Sequence, residues 1–197
     1  IFIFKDNLNY LFLLSILFVG ILSDVNLLNS AKLRFIIQIL IILSLVINFD
    51  LILSDTGVNF LDSLLKYNLF SYIFFSFCIL IVVNGSNFID GLNGLSIGYY
   101  FINLLIIFKL VNSLDYDLYN SIICNYLLIL GCLIIFNFFN KLYLGDSGSY
   151  FIGLVVGFLL INIYKQFSFI SSFYIILLLW YPCFENLFSI LRKYKFN

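Results

Sequence analysis

The sequence predicts an all-α protein, a polytopic bundle of transmembrane helices, because of its composition and the length of its apolar runs. Of its 197 residues, 63% are hydrophobic and 10% are charged, whereas soluble domains are about 45–50% apolar. Several apolar runs reach the roughly 17–25 residues that a helix needs to cross a bilayer. The alternating pattern of barrel strands is missing, and only helices and closed barrels pair all their backbone groups in lipid. We therefore expect the bilayer to be the solvent of this chain.

The apolar runs predict about seven membrane-spanning helices, which would form a single integral membrane domain over residues 1–197. The helices are placed at 8–22, 35–53, 69–87, 95–111, 121–139, 149–164 and 169–190. The net charge is zero and no linker or charged tail divides the chain, so neither a soluble domain nor a nucleic-acid partner is expected. The chain begins with Ile1 and has no methionine, which we interpret as a sign of a fragment or a processed piece.

The loops between these helices alternate between the two sides of the membrane, and their positive charge is unequal. The side with more basic residues holds Lys32, Arg34, Lys141, Arg192, Lys193 and Lys195. The other side holds Lys5, Lys66, Lys109 and Lys165. Because cytoplasmic loops carry an excess of Lys and Arg, the first side is predicted to be cytoplasmic. Three polar clusters, around Asp24, Asp90 and Asp146, share this side.

Asp90 belongs to the cluster NGSNFIDGLNGLS at 84–96. Asn84, Asn87 and Asp90 are three residues apart, so on a helix they would line one stripe and offer amides and a carboxylate to one ligand. The glycines that follow would allow a tight turn and leave N–H groups free at the next helix start, where a phosphate is favoured. Helix capping at the membrane interface, with a G-x-x-x-G packing face, is the alternative interpretation.

Asp146 belongs to a second cluster, LGDSGS at 144–149, which precedes a long apolar run. Asp146 or Ser147 is placed to cap that helix, with the carboxylate facing the cytoplasmic side. An N-cap alone would also explain the motif. Gly153 and Gly157, farther along, form a G-x-x-x-G pattern that we interpret as helix packing.

Asp24 belongs to a third cluster, at the inner end of the first predicted helix, with Lys32 and Arg34 close behind it. Taken alone, an ordinary solvated loop would explain this cluster. Ionisable residues that converge from separate helices on one membrane face are nevertheless functional candidates. The chain has no histidine and only scattered cysteines, so carboxylates would have to bind any metal, which favours Mg²⁺ and then Mn²⁺. Magnesium in turn favours phosphate chemistry.

These motifs resemble those of the polyprenyl-phosphate N-acetylhexosamine-1-phosphate transferases, the glycosyltransferase family 4 that also contains phospho-N-acetylmuramoyl-pentapeptide transferase. The N-x-x-N-x-x-D-G-x-x-G-L block at 84–95 and the L-G-D-S-G-S block at 144–149 carry the resemblance. The acidic loop around Asp24 and the late segment with Pro182 and Arg192 extend it over most of the chain.

The chain departs from the family pattern at two positions and at both ends. Ser23 and Asn93 stand where the family usually has aspartates, which would make a metal site less anionic. Several N-terminal helices and a histidine-containing loop after Arg192 look absent, as in a fragment. A copy without activity is the alternative to an active homologue with substituted positions.

The resemblance implies transfer of an N-acetylhexosamine 1-phosphate from a UDP-sugar to undecaprenyl or another polyprenyl phosphate, with release of UMP. It implies a multi-pass protein of the bacterial inner membrane whose active site faces the cytoplasm. The reaction would initiate cell-envelope polysaccharide synthesis. A peptidoglycan-precursor transferase of the same family and a membrane transporter are the alternatives. A second copy of the chain is a candidate partner.

The resemblance also implies roles for the residues of the three clusters. Asp24, Asp90 and Asp146 are the expected catalytic residues, and Asp146 and Asp90 the expected ligands of Mg²⁺ or Mn²⁺. The expected substrate-binding residues are Asn84, Asn87, Asn93, Lys32, Arg34 and Lys141.

Overall fold

The computed structural model describes residues 7–53, 55–112, 117–167 and 169–196, and every regular element within them is an α-helix. The predicted all-α class is therefore confirmed. The helices of this part of the chain are α1 (Asn7–Asp24), α2 (Ala31–Asn48), α3 (Asn59–Leu65), α4 (Asn68–Ile89), α5 (Leu95–Asn112), α6 (Asp117–Phe138), α7 (Gly145–Gln166), α8 (Ser172–Leu178) and α9 (Trp180–Phe196). Lys5, which entered the count of loop charges, lies outside the described residues.

The long helices have the length and composition of membrane spans. Five of the described helices, α2, α4, α5, α6 and α7, are long and apolar enough to cross a bilayer, and the bent pair of α8 and α9 makes a sixth. The apolar part of α1, from Leu11 to Asp24, is shorter. The prediction of about seven spans is thus confirmed approximately. Large apolar side chains such as Leu128 and Ile129 on α6 are exposed, as expected where lipid is the solvent.

The helices form two compact units. The first unit joins residues 1–88 to residues 145–197, and the second consists of residues 89–144. In the first unit, α1 packs against α2 and α7, and α8 contacts α7 and α9, while in the second α5 packs against α6. The expectation of a single domain stays a prediction.

Most of α7 is buried, and Leu154 in its middle is fully inaccessible. Its glycines explain how α4 can lie so close to it, because a Cβ on Gly153 would overlap the side chain of Ser86. A Cβ on Gly157 would meet Val82 at an ordinary 3.8 Å. The interpretation of this G-x-x-x-G pattern as helix packing is confirmed, and the tight contact is at its first glycine.

The last apolar stretch is bent between α8 and α9, which meet at an angle of 62°. Leu179 lies at the break, and Pro182 follows in the first turn of α9. Proline is tolerated there because the first N–H groups of a helix have no partner within it. A Cβ on Gly85 of α4 would overlap the backbone carbonyl of Pro182, so the new helix starts in close contact with α4.

The end of α7 and the start of α8 are hydrogen-bonded to the loop between α2 and α3. Lys165, Tyr164 and Ser172 donate side-chain hydrogen bonds to the backbone carbonyls of Asp50, Asp55 and Thr56, respectively. Lys165 Nζ also lies 3.9 Å from a carboxylate oxygen of Asp50. These contacts fix one end of the first unit, and Asp24 and Asp146 lie at the other.

We expect this loop to be less stable in acid. The hydroxyl and the N–H of Thr56 donate to Asp62 Oδ1 at 2.6 and 2.7 Å, and these bonds lower the pKa of Asp62. Since the folded form binds its proton less readily than the unfolded form, the stabilisation is complete above the usual pKa of about 3.9 and lost as pH falls through the lowered value.

The substitution Thr56→Val should raise the pKa of Asp62, because it removes the hydroxyl that lowers this pKa most. The pKa is measured by a carboxyl-carbon NMR titration in detergent. Ser63→Ala is the matched control, since the Ser63 hydroxyl bonds to the carbonyl of Phe60 instead. An unchanged Asp62 pKa in Thr56→Val would show that the bond from the Thr56 hydroxyl does not lower this pKa.

Candidate active site

The site begins at the first turn of α7, which is capped by a residue of another helix. The backbone N–H groups of Asp146 and Ser147 donate to the carboxylate of Asp24, at 2.8 and 3.1 Å. Gly145 has a φ of 62°, and a Cβ there would lie 2.8 Å from Asp24 Oδ2. Asp24 thus satisfies two of the free N–H groups at the positive end of α7. The prediction that Asp146 or Ser147 caps this helix is wrong, because α1 brings its own carboxylate to that place.

The carboxylate of Asp146 is consequently free to face other side chains. Its Oδ1 accepts a hydrogen bond of 2.6 Å from the amide of Asn87, and its Oδ2 accepts one from the hydroxyl of Ser23. Arg34 Nη1 lies 3.4 Å from the same Oδ2. The side chains of Arg34 and Asp146 are about one quarter exposed, so solvent and ligands can reach this ion pair.

Arg34 and Ser23 are also joined directly. Arg34 Nη1 donates to the hydroxyl of Ser23, which in turn donates to Asp146. Ser23 is buried at 7% exposure, so its hydroxyl depends on these partners. The sequence identified Ser23 only as a position where the family has an aspartate. Its place in the site could not be predicted from the sequence, because a serine near a helix end is also an ordinary interface residue.

A close helix contact brings these groups together. A Cβ on Gly20 of α1 would fall on the backbone of Ser147 in α7, so only glycine lets the two helices approach so far. Ser23 and Asp24 follow one turn later on α1 and reach the start of α7. The site is therefore built where α1, α2, α4 and α7 meet at one end of the first unit.

Asn84 lies one turn deeper than this cluster, on α4. Its Nδ2 donates to Gln38 Oε1 and to the carbonyl of Leu80, both at 3.0 Å. Gln38 is completely buried. Asn84 therefore forms a partly buried amide pair with Gln38 below the cluster, whereas Asn87 contacts Asp146. Lys32, by contrast, is exposed on the first turn of α2 and forms none of the ion pairs found among the described residues.

The second unit contains the remaining candidates. Gly94 turns the chain into α5 with a φ of 78°, as the sequence predicted for a glycine here. Its N–H donates to the side chain of Asn137, so the prediction of a free N–H for a phosphate is wrong at this glycine. Asn93 donates to Asn140, and Asn137 donates to the carbonyl of Leu142 at 2.8 Å. These asparagines fasten the start of α5 to the end of α6.

Asn137 was not identified from the sequence. Its polar amide within the apolar run FNFFN was a signal that could have been used. Asp90 is partly exposed after the end of α4, and Lys141 is exposed after α6. A Cβ on Gly98 would have no neighbour within 4 Å. The alternative interpretation of the glycines here as a packing face is therefore wrong at Gly98.

The donor atoms of the site fit one type of metal binding. Among the described residues, no three His, Cys, Asp or Glu side chains are grouped so as to hold a metal ion. Magnesium, however, commonly keeps several waters and takes one or two carboxylates together with substrate phosphates. Asp146, with Asp24 beside its helix start, fits that kind of site but not a cage made by protein alone.

An apolar cavity of about 320 Å³ lies elsewhere in the first unit. It is bordered by α3, α4, α7, α8 and α9, and is lined by residues such as Ile161, Tyr164 and Phe173. These residues lie at or beyond the last turns of α7, whereas Asp146 lies in its first turn. The largely apolar walls offer nothing for phosphate chemistry, so the cluster around Asp146 is the better candidate site.

Comparisons with known proteins indicate the family of the chain. The model of the family described as "Glycosyl transferase family 4" matches residues 8–164. A Bacillus subtilis (strain 168) protein described as "Probable undecaprenyl-phosphate N-acetylglucosaminyl 1-phosphate transferase" is 31% identical over 183 residues, which cover 90% of this chain and 50% of that protein. The chain thus spans about half the length of this relative. No solved structure matches it.

Proposed function

Because the chain belongs to glycosyl transferase family 4, we propose that it takes part in transferring an N-acetylhexosamine 1-phosphate from a UDP-sugar to a polyprenyl phosphate, with release of UMP. The name of the Bacillus relative supports undecaprenyl phosphate as the acceptor and N-acetylglucosamine as the sugar. The observation that carries the proposal is the meeting of Asp146, Arg34 and Asn87 from three helices.

The depth of the cluster supports an enzyme over a transporter. Asp24 ends α1, Arg34 lies in the first turn of α2, and Asp146 lies in the first turn of α7. Transporter sites lie near the middle of the bilayer, at broken helices. A cluster at helix ends is instead at the level where a lipid headgroup and a soluble nucleotide can meet.

The proposed reaction needs two anions to approach each other. A phosphate oxygen of the lipid would attack the β-phosphorus of the UDP-sugar, forming a new P–O bond as the bond to UMP breaks. A divalent cation, when bound, would supply positive charge that offsets the repulsion and stabilises the departing UMP. We assign Asp146 to hold it, and Asp90 remains the candidate for a second ligand.

The other residues of the cluster would position Asp146 and bind phosphate. Asn87 holds Asp146 Oδ1 and thereby fixes the orientation of the carboxylate. Asp24 holds the start of α7 through two backbone N–H groups. Arg34 provides a guanidinium, whose planar fork suits phosphate oxygens. Lys32, exposed nearby, is a second candidate for attracting the anionic substrates.

We further propose that this end of the first unit faces the cytoplasm and that the protein resides in a bacterial inner membrane. The excess of Lys and Arg on this side supports the orientation. Nucleotide sugars are soluble anions, so a site at the membrane surface on that side would be within their reach.

The function is tested with membranes that contain the full-length protein, by measuring UMP release from UDP-N-acetylglucosamine. We expect release that requires both undecaprenyl phosphate and Mg²⁺, together with a lipid product that carries the sugar and a diphosphate. Release of UMP without the lipid would indicate a hydrolase and overturn the proposal. Absence of release with any UDP-N-acetylhexosamine, beside an active control enzyme, would indicate an inactive copy.

A further inference from the structure

The ion pair between Arg34 and Asp146 has a consequence for metal binding. Arg34 Nη1 lies 3.4 Å from Asp146 Oδ2, and the hydroxyl of Ser23 bonds to both groups. These three side chains come from α2, α7 and α1. Arg34 therefore places its positive charge directly on the carboxylate that we assign to the divalent cation.

Both oxygens of that carboxylate are already engaged. Asn87 donates to Oδ1, and Ser23 and Arg34 approach Oδ2. The neighbouring carboxylate of Asp24 accepts the N–H groups of Asp146 and Ser147 instead. Among these three side chains that contact Asp146, Arg34 alone carries a charge, so it is the one whose removal a cation would require.

We propose that Arg34 and a divalent cation compete for Asp146 Oδ2, so that metal binding releases the guanidinium toward the phosphates of the substrate. Two positive charges cannot both contact one oxygen without strong repulsion. A released guanidinium would find new partners in phosphate oxygens, which it binds in pairs. Arg34 would then be a positioning residue that makes the site favour metal and phosphate together. This inference rests on the proposed function.

The presence of Ser23 makes this competition possible. Its neutral hydroxyl both accepts from Arg34 and donates to Asp146, and so it links the pair without adding negative charge. A carboxylate at this position, as in the family pattern, would offer Arg34 a partner other than Asp146. The serine thus leaves Asp146 as the single carboxylate that the structure shows paired with Arg34.

The competition is tested on the purified full-length protein in nanodiscs, with Mn²⁺ as the probe and without nucleotide or polyprenyl phosphate. Free Mn²⁺ is measured by electron paramagnetic resonance. We expect Arg34→Gln to bind Mn²⁺ about fivefold more tightly than the wild type, as expected for the loss of a partly exposed ion pair. Arg34→Lys, which keeps the charge, should bind Mn²⁺ more weakly than Arg34→Gln.

Two controls assign the effect. Lys32→Gln removes the same charge from the same turn of α2 but breaks no ion pair found in the structure, so its Mn²⁺ affinity should equal that of the wild type. Asp146→Asn should abolish the gain when it is added to Arg34→Gln. Circular dichroism and the melting temperature establish that each variant is folded.

Equal or weaker Mn²⁺ binding by folded Arg34→Gln would overturn the inference. An equal gain in Lys32→Gln would do so too, because it would show a general effect of charge. Since no sugar donor or lipid acceptor is present, the result is independent of whether the transferase reaction occurs. Failure of the transfer assay with the expected Mn²⁺ affinities would count against the proposed reaction and leave the competition intact.

Discussion

Replacing Asp146 with asparagine is expected to lower the rate of UMP release by about 10³-fold. The amide has nearly the same shape as the carboxylate, so the hydrogen bond with Asn87 can persist. It lacks the negative charge that a divalent cation and Arg34 both require. The effect should appear in kcat when UDP-sugar and lipid are saturating, because the lost interaction acts on charge that develops during transfer.

The fold should survive this change. The Arg34–Asp146 pair is about one quarter exposed, and partly exposed ion pairs contribute at most about 1 kcal/mol. Asp50→Asn is the matched control, because it removes an aspartate that pairs with Lys165 at the other end of the unit. We expect it to retain activity. A folded Asp146→Asn protein with the wild-type rate would remove Asp146 from the mechanism.

Replacing Gly20 with alanine is expected to impair both stability and activity. A Cβ at this position would fall on the backbone of Ser147, and backbone atoms cannot move aside as a flexible side chain can. Overpacking of this kind costs about 1–3 kcal/mol. If α1 and α7 separate by about 1 Å, the contacts of Ser23 and Asp24 with the start of α7 are misplaced, which can lower the rate about 100-fold.

Gly98→Ala provides the control for Gly20→Ala. Gly98 also lies in a helix, α5, but a Cβ there would meet nothing within 4 Å. Alanine is up to about 1 kcal/mol more favourable than glycine within a helix, so the melting temperature should stay the same or rise. Thermal unfolding in detergent and UMP release in membranes measure the two effects. A Gly20→Ala protein as stable and active as Gly98→Ala would contradict the close contact.

The positions of the long apolar helices could be predicted from the sequence, but the short helix α3, the break between α8 and α9 and several helix ends could not. The second helix was predicted to reach 53, whereas α2 ends at Asn48. The apolar run continues because Leu51, although in the following loop, is almost fully buried. Asp50, with a φ of 46°, turns the chain there. A hydrophobic residue indicates burial rather than helix, and Leu51 is buried although it lies in a loop.

Part of the candidate site could be predicted from the sequence, but the contacts within it could not. The sidedness of the loops predicted that Asp24 and Asp146 would lie at one end, and in the first unit they do. The local sequence could not tell which carboxylate caps α7, because Asp146 and Ser147 are themselves good capping residues. The choice is decided by the contact of α1 with α7 through Gly20, which joins residues more than a hundred positions apart.

The residues of the cluster around Asp146 are synthesised at different times, because they lie far apart in the chain. Ser23, Arg34 and Asn87 leave the ribosome before the second unit, and Asp146 follows Asn87 by about 60 residues. At about 5–20 residues per second, several seconds pass before the carboxylate can meet them. During that interval Ser23 and Arg34 have been synthesised without the carboxylate that they contact in the folded protein. The site can therefore be completed only after the residues of α5 and α6 have been synthesised.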